Sequence, residues 1–148
     1  MSTNAWVLGL GFCLTGLVGQ TEPVFESIPL DEEVKIGYGI SLTDVDGDDI
    51  LDVVLVDKDQ IRWYEGPHYE AHVMTEALTE RDHVCVAARD IDGDGRAEIA
   101  AGAEWNPGDT QDSGSVHVLT PSKDRSALWS ATRLPNEPTT HRMRWRLA

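Results

Sequence analysis

Cysteine is nearly absent from this chain, with Cys13 and Cys85 the two thiols in 148 residues. So few thiols cannot build the disulfide framework of a small secreted scaffold. Cys85, between Val84 and Val86, reads as a small packed side chain facing away from both. Basic residues are scarce as well. Twelve Lys and Arg stand against 26 Asp and Glu, leaving a net charge of −14. A field of that sign repels polyphosphates and anionic headgroups, which excludes nucleic acid and anionic membrane surfaces as partners. Catalytic signatures are lacking too. No Ser/His/Asp or Cys/His set has a local pattern, and Gly9-x-Gly11 neither follows a strand nor opens a helix. His68-x-Glu70-x-His72 spans a turn after Gly66-Pro67 rather than one helix face, so it makes a poor zinc site.

What remains is enough for a fold. Hydrophobic residues make up 41% of the chain, sufficient for a packed core, and the length fits at most one ordinary domain. Residues 1–19 carry no charged side chain. The apolar run from Ala5 to Val18 has about the length of a signal-peptide core, and is too short and glycine-broken for a membrane span. Cleavage after Gly19 meets the small-residue rule at the last position. Residues 1–19 are therefore expected to be a signal peptide and 20–148 the mature chain, secreted, periplasmic or at the cell surface, with no membrane insertion once the signal is removed.

The acidic residues are not spread evenly. Asp90-Ile91-Asp92-Gly93-Asp94-Gly95-Arg96-Ala97-Glu98 places carboxylates at positions 1, 3, 5 and 9 of a short glycine-bearing loop. Forty-six residues earlier, Asp44-Val45-Asp46-Gly47-Asp48-Asp49-Ile50-Leu51-Asp52 repeats the spacing. The two stretches hold nine of the 26 acidic residues. Carboxylates on alternate residues of a turn converge, and they repel one another unless a cation lies between them. A hard cation with oxygen ligands, calcium above all, suits such a set. Position 7, Ile50 or Arg96, needs no acidic side chain if it offers its backbone carbonyl. Gly95 supplies the positive φ of a sharp turn, and Asp49 takes that place in the first copy, strained but among the least disfavoured non-glycine residues. Two ions are expected.

An EF-hand would need helices on both sides and a glutamate at position 12. Position 12 is Leu55 in one copy and Ala101 in the other. The flanks alternate with the period of half-buried strands, as in Ile36, Tyr38, Ile40 and Leu42. Each loop then joins two strands. Four strands are expected in a first unit (36–43, 52–56, 60–65 and 71–75) and four in a second (83–89, 98–102, 115–120 and 130–134). Four antiparallel strands in units of about 45–50 residues are the signature of propeller blades, here about 36–76 and 83–134. Residues 24–30 have the offset of an outer strand preceding its own blade. His141 matches His83 in register, so a third blade would begin at about 140, in the front part of a longer propeller.

Both loops, each followed by a hydrophobic strand, resemble the FG-GAP and VCBS repeat families, whose pattern is D-x-D-G-D-G-x-x-D. The run Ile61-Arg62-Trp63-Tyr64-Glu65-Gly66-Pro67 with His72-Val73 is similar to a segment common in bacterial members. The resemblance covers roughly residues 24–146. It implies an all-β fold, a β-propeller of four-stranded antiparallel blades with about two and a half blades present, and one calcium ion per loop. By that match Asp44, Asp46, Asp48 and Asp52 with the Ile50 carbonyl would hold one ion. Asp90, Asp92, Asp94 and Glu98 with the Arg96 carbonyl would hold the other.

Such ions read as structural, because the loop fills every ligand position itself, whereas a catalytic ion keeps positions open. Binding is then expected at the opposite rim. There 103–114 forms a long connection with Trp105 placed to stack on a ligand. The reading is a secreted calcium-binding repeat module that binds an unknown protein or carbohydrate ligand or serves as a scaffold, and no enzyme by itself. The alternative is the front part of a propeller enzyme acting on polysaccharide, such as a lyase. His117 is expected at the surface, Arg142, Arg144 and Arg146 on an outward face, and open sheet edges are expected to promote self-association.

Overall fold

A computed structural model describes residues 22–135 and 138–146. Residues 1–19, expected to be a signal peptide, and Cys13 with them, lie outside the described part. Among the described residues, eight strands form two four-stranded antiparallel sheets. β1 (Gly39–Thr43), β2 (Asp52–Val56), β3 (Gln60–Glu65) and β4 (Glu70–Glu76) make the first. β5 (His83–Arg89), β6 (Glu98–Ala103), β7 (Ser115–Thr120) and β8 (Ser130–Leu134) make the second. Within each sheet the spatial order is the chain order, as in a meander whose successive strands need only short turns. The fold is an open, partial β-propeller of two blades.

The repeat is visible in the register. Ile40 pairs with Leu55 in the first sheet, and Val86 with Ala101 in the second. The two blades stack face to face. Val54, Val56, Ile61, Trp63 and Met74 of one meet Ile99, Ala101 and Leu119 of the other, with Val86 and Ala88 against them. Full burial of each aliphatic side chain contributes roughly 1.5–3 kcal/mol, so this seam is the main source of cohesion. Trp129 closes its outer end, its backbone N–H donating across the seam to the Met74 carbonyl at 2.8 Å. The same face one repeat earlier is open, and Ile40 and Leu42, where the second blade has Val86 and Ala88, are 68% and 64% exposed.

Three expectations need correction. Residues 24–30 form no strand, and Val24 and Phe25 are almost fully exposed. The two sheets end at β4 and β8, and this stretch pairs with neither. It is tied instead by Asp31, which accepts hydrogen bonds from Arg62 Nη1 at 2.6 Å and from the Tyr64 hydroxyl. The first strand begins at Gly39 rather than at Ile36, because the amides of Lys35, Ile36 and Gly37 are taken by the Asp57 carboxylate and Gly37 turns to φ 69°. His117 is buried, only 6% exposed, with Nε2 3.0 Å from Ser115 Oγ. It shares the inward face of β7 with Ser115 and Leu119. In stacked blades that face carries the core.

Residues 141–146 alternate as expected, with Arg142, Arg144 and Arg146 exposed and His141, Met143 and Trp145 half-buried, yet they form no strand. Trp145 Nε1 donates to the Ala87 carbonyl at 3.0 Å, which lays this stretch alongside β5.

Candidate metal centres

The acidic loops occupy equivalent corners, 44–51 between β1 and β2 and 90–97 between β5 and β6. Both fold by the same hydrogen bonds. Asp44 Oδ1 accepts the Gly47 N–H at 2.6 Å and Oδ2 the Asp49 N–H at 2.8 Å. Asp90 does the same for Gly93 at 2.6 Å and Gly95 at 3.0 Å. Positions 3 and 5 each accept the N–H two residues on, in Asp46 and Asp48 as in Asp92 and Asp94, at 2.8–3.2 Å. These are Asx turns, in which a short carboxylate mimics a backbone acceptor. Gly47 and Gly93 turn to φ 89° and 85°, and Asp49 and Gly95, at the expected positive-φ position, to 65° and 86°.

Turning the chain this way aims the side chains at a common point. In each loop one carboxylate oxygen from positions 1, 3 and 5 lies within 4.8 Å of the other two, giving the triads Asp44, Asp46, Asp48 and Asp90, Asp92, Asp94. The acidic side chain at position 9 turns elsewhere. Asp52, fully buried, accepts the Val45 N–H at 2.7 Å and the Gly66 N–H at 2.9 Å. Glu98 accepts the Ile91 N–H at 2.8 Å. Position 9 therefore locks the loop to its own start, and in the first blade also to the end of β3.

Electrostatics separate the two loops. Burial raises the pKa of Asp46, and the charge of Asp48 adds to it. Burial also raises Asp52, against the pull of its two backbone donors. Asp90 is lowered, chiefly by the Gly93 N–H. Each triad offers only oxygen donors, the set that a hard divalent cation takes. Among the described residues the second oxygens of positions 3 and 5 receive no hydrogen bond and remain free as ligands. The residues fit a calcium ion.

The first loop is also held from outside, which its sequence does not announce. Ala97 N–H donates to the Asp44 carbonyl at 2.8 Å, Arg96 Nε to the Asp46 carbonyl at 2.9 Å, and Arg125 Nη1 to the Val45 carbonyl. All three donors belong to the second blade or its connections.

Asp57 was legible only as part of a turn. It is a buried carboxylate that gathers the N–H groups of Lys35, Ile36 and Gly37 at 2.9, 2.7 and 3.1 Å. Burial works to raise its pKa, but these donors and the Lys58 N–H overcome it and hold it at about 2. The signal for such a residue is an acid just after a strand, facing a short polar stretch far away in sequence, and nothing in local spacing reveals it.

At the opposite rim, Trp105 stacks on His141 with ring centroids 4.1 Å apart. The connection containing it is braced from within. Asp109 accepts the N–H groups of Gln111 and Asp112, and Ser113 Oγ donates to the carbonyls of Asn106 and Asp109. Glu104 pairs with Arg133 at 3.1 Å beside an open cavity of about 340 Å³. His72, weighed as a zinc ligand, pairs with Glu65 at 2.8 Å and packs on Trp63.

Comparison with known families agrees with this geometry. The model of the FG-GAP-like repeat matches residues 44–101, and that of the FG-GAP repeat matches residues 86–119. Neither the curated proteins nor the solved structures give a match.

Proposed function

Because the chain belongs to the FG-GAP repeat family over residues 44–119, and so is a β-propeller repeat module, we propose that its two acidic corners bind calcium and that the ions are structural. The observation that carries this is the pair of identical triads, three carboxylates brought within 4.8 Å in each loop. Asp44, Asp46 and Asp48 with the Ile50 carbonyl would hold one ion, and Asp90, Asp92 and Asp94 with the Arg96 carbonyl the other. Asp52 and Glu98 serve each site from position 9. A bound cation supplies the positive charge that offsets the mutual repulsion of the triad. The protein's own part is to hold the oxygens in place through Asx turns and glycine corners.

The module is proposed to act outside the cytoplasm, where calcium is abundant enough for sites of about 10⁻⁴ to 10⁻³ M. There it presents a ligand-binding or scaffolding rim opposite the metal corners. The test is calorimetric titration of the chain with calcium, together with thermal melting in calcium and in chelator. Two ions and a melting temperature that climbs with calcium are expected, since a ligand bound only by the folded state stabilises it. A folded chain that takes up no calcium and melts identically in chelator would sink the reading.

A further inference from the structure

The two corners are not independent. The first three carbonyls of the first loop all receive donors from the other blade: Asp44 from Ala97 N–H, Val45 from Arg125 and Asp46 from Arg96. Among the described residues, no donor from the first blade reaches the carbonyls of Asp90, Ile91 and Asp92. The contact is close. A Cβ on Gly47 would lie 2.8 Å from Arg96 Nε and 2.9 Å from Arg96 Cγ, while one on Gly93, the same position of the second loop, would meet nothing within 4 Å.

Arg125 is fixed in turn. Its guanidinium lies 5.4 Å from the centroid of the Trp129 ring, and its carbonyl accepts Trp129 Nε1 at 2.8 Å. Arg125 lines one open cavity with Asp46 of the first loop and Arg96 of the second. Each arginine gives one N–H to a main-chain carbonyl of the first loop, and among the described residues neither bonds a carboxylate of its triad.

Resting on the calcium reading above, we propose that the Arg96 and Arg125 side chains are positioning residues for the first metal site, so that the two sites bind calcium cooperatively. Arg96 joins them physically. Its carbonyl is position 7 of the second loop and its side chain grips position 3 of the first, while the next N–H, from Ala97, grips position 1. A cation that sets the backbone at Asp94–Ala97 also sets the two donors that hold Asp44 and Asp46. Coupling of this kind is reciprocal and commonly amounts to about tenfold in affinity.

Charge and positioning predict opposite results, which makes the inference testable. Arg96→Gln and Arg125→Gln remove positive charge beside a cation site, so on charge alone they should tighten calcium binding. Positioning requires them to loosen it. The background is Asp92→Asn with Asp94→Asn, which silences the second loop and leaves the first to titrate alone by calorimetry. There the double arginine variant is expected to bind calcium about tenfold more weakly, with Arg96→Lys and Arg125→Lys recovering part of the loss. Unchanged or tighter binding overturns the inference.

Should the double variant fail to fold, as tryptophan emission would reveal, Arg96→Gln alone carries the test, because that side chain is exposed. A second measurement is the parent titration, where two coupled sites give a Hill coefficient above 1 that falls toward 1 in Arg96→Gln, in which the Ala97 N–H contact remains. A parent that binds two ions with a coefficient of 1 overturns the coupling while leaving calcium binding intact. A parent that binds no calcium removes both.

Discussion

The two acidic loops share a spacing, a set of Asx turns and a triad, yet they sit in different surroundings. The first is pinned by three donors from the neighbouring blade, and its position 9, Asp52, is fully buried between two backbone N–H groups. The second has Glu98 at position 9, half-buried and holding one N–H. One short pattern therefore gives one local geometry, while the blade packed beside it decides how much rests on each carboxylate. The first loop is a joint of the fold as well as a candidate ion site. The second is closer to a free corner.

The sharpest way to break the symmetry is at position 9. Asp52→Ala leaves the Val45 and Gly66 N–H groups unpaired in a buried setting, at about 1–3 kcal/mol each. A loss of about 2–5 kcal/mol is expected by urea unfolding in chelator, where any metal contribution is absent. Glu98→Ala frees one N–H that water reaches, and should cost about 1 kcal/mol or less. Equal losses at the two positions would mean that the burial difference has no energetic consequence.

Asp57 extends the comparison from the loops to the blades, since the second blade has Ala103 at that place, where it pairs with His83. The folded state holds Asp57 at about 2, below its ordinary value of 3.8. A depressed carboxylate contributes stability in full above the unfolded value and loses it as pH falls through the folded one. The contribution is about 2 kcal/mol near neutral pH, declining between about pH 4 and pH 2. Asp57→Asn should flatten that part of the acid-unfolding curve and free the 35–37 stretch to exchange its amide hydrogens. An acid limb that is the same in the variant would show that other carboxylates set it.

Much of this was legible in the sequence, for reasons that are local. A period of two, turn residues and the 46-residue repeat located all eight strands, because each strand pairs with its neighbour in the chain. The two triads were legible because positions 1, 3 and 5 of one tight turn must converge. What stayed hidden depends on contacts distant in sequence. Arg125 reaches Val45 across 80 residues. His117 is buried because a second sheet covers its face, and residues 24–30 have the offset of an outer strand but pair with neither sheet. Position 9 was half legible: an acid belongs there, but its bond back to the N–H of position 2 cannot be read from spacing.

The smallest effect concerns the residue at positive φ, and it separates conformational strain from contact. Gly95 has φ 86° and open space where a Cβ would lie, so Gly95→Ala should lose about 1 kcal/mol through the left-handed backbone alone. Asp49 already carries that strain at φ 65°, softened because aspartate tolerates this region better than most residues. Asp49→Gly keeps the N–H that Asp44 Oδ2 accepts at 2.8 Å and removes one negative charge from a crowded loop. Against this, glycine frees the unfolded chain and gives back part of the gain. A net stabilisation of about 0.5 kcal/mol is expected, read as a rise in melting temperature in chelator. If Asp49→Gly destabilises instead, the Asp49 side chain makes a contribution that outweighs its strain, and the two loops differ in chemistry as well as in setting.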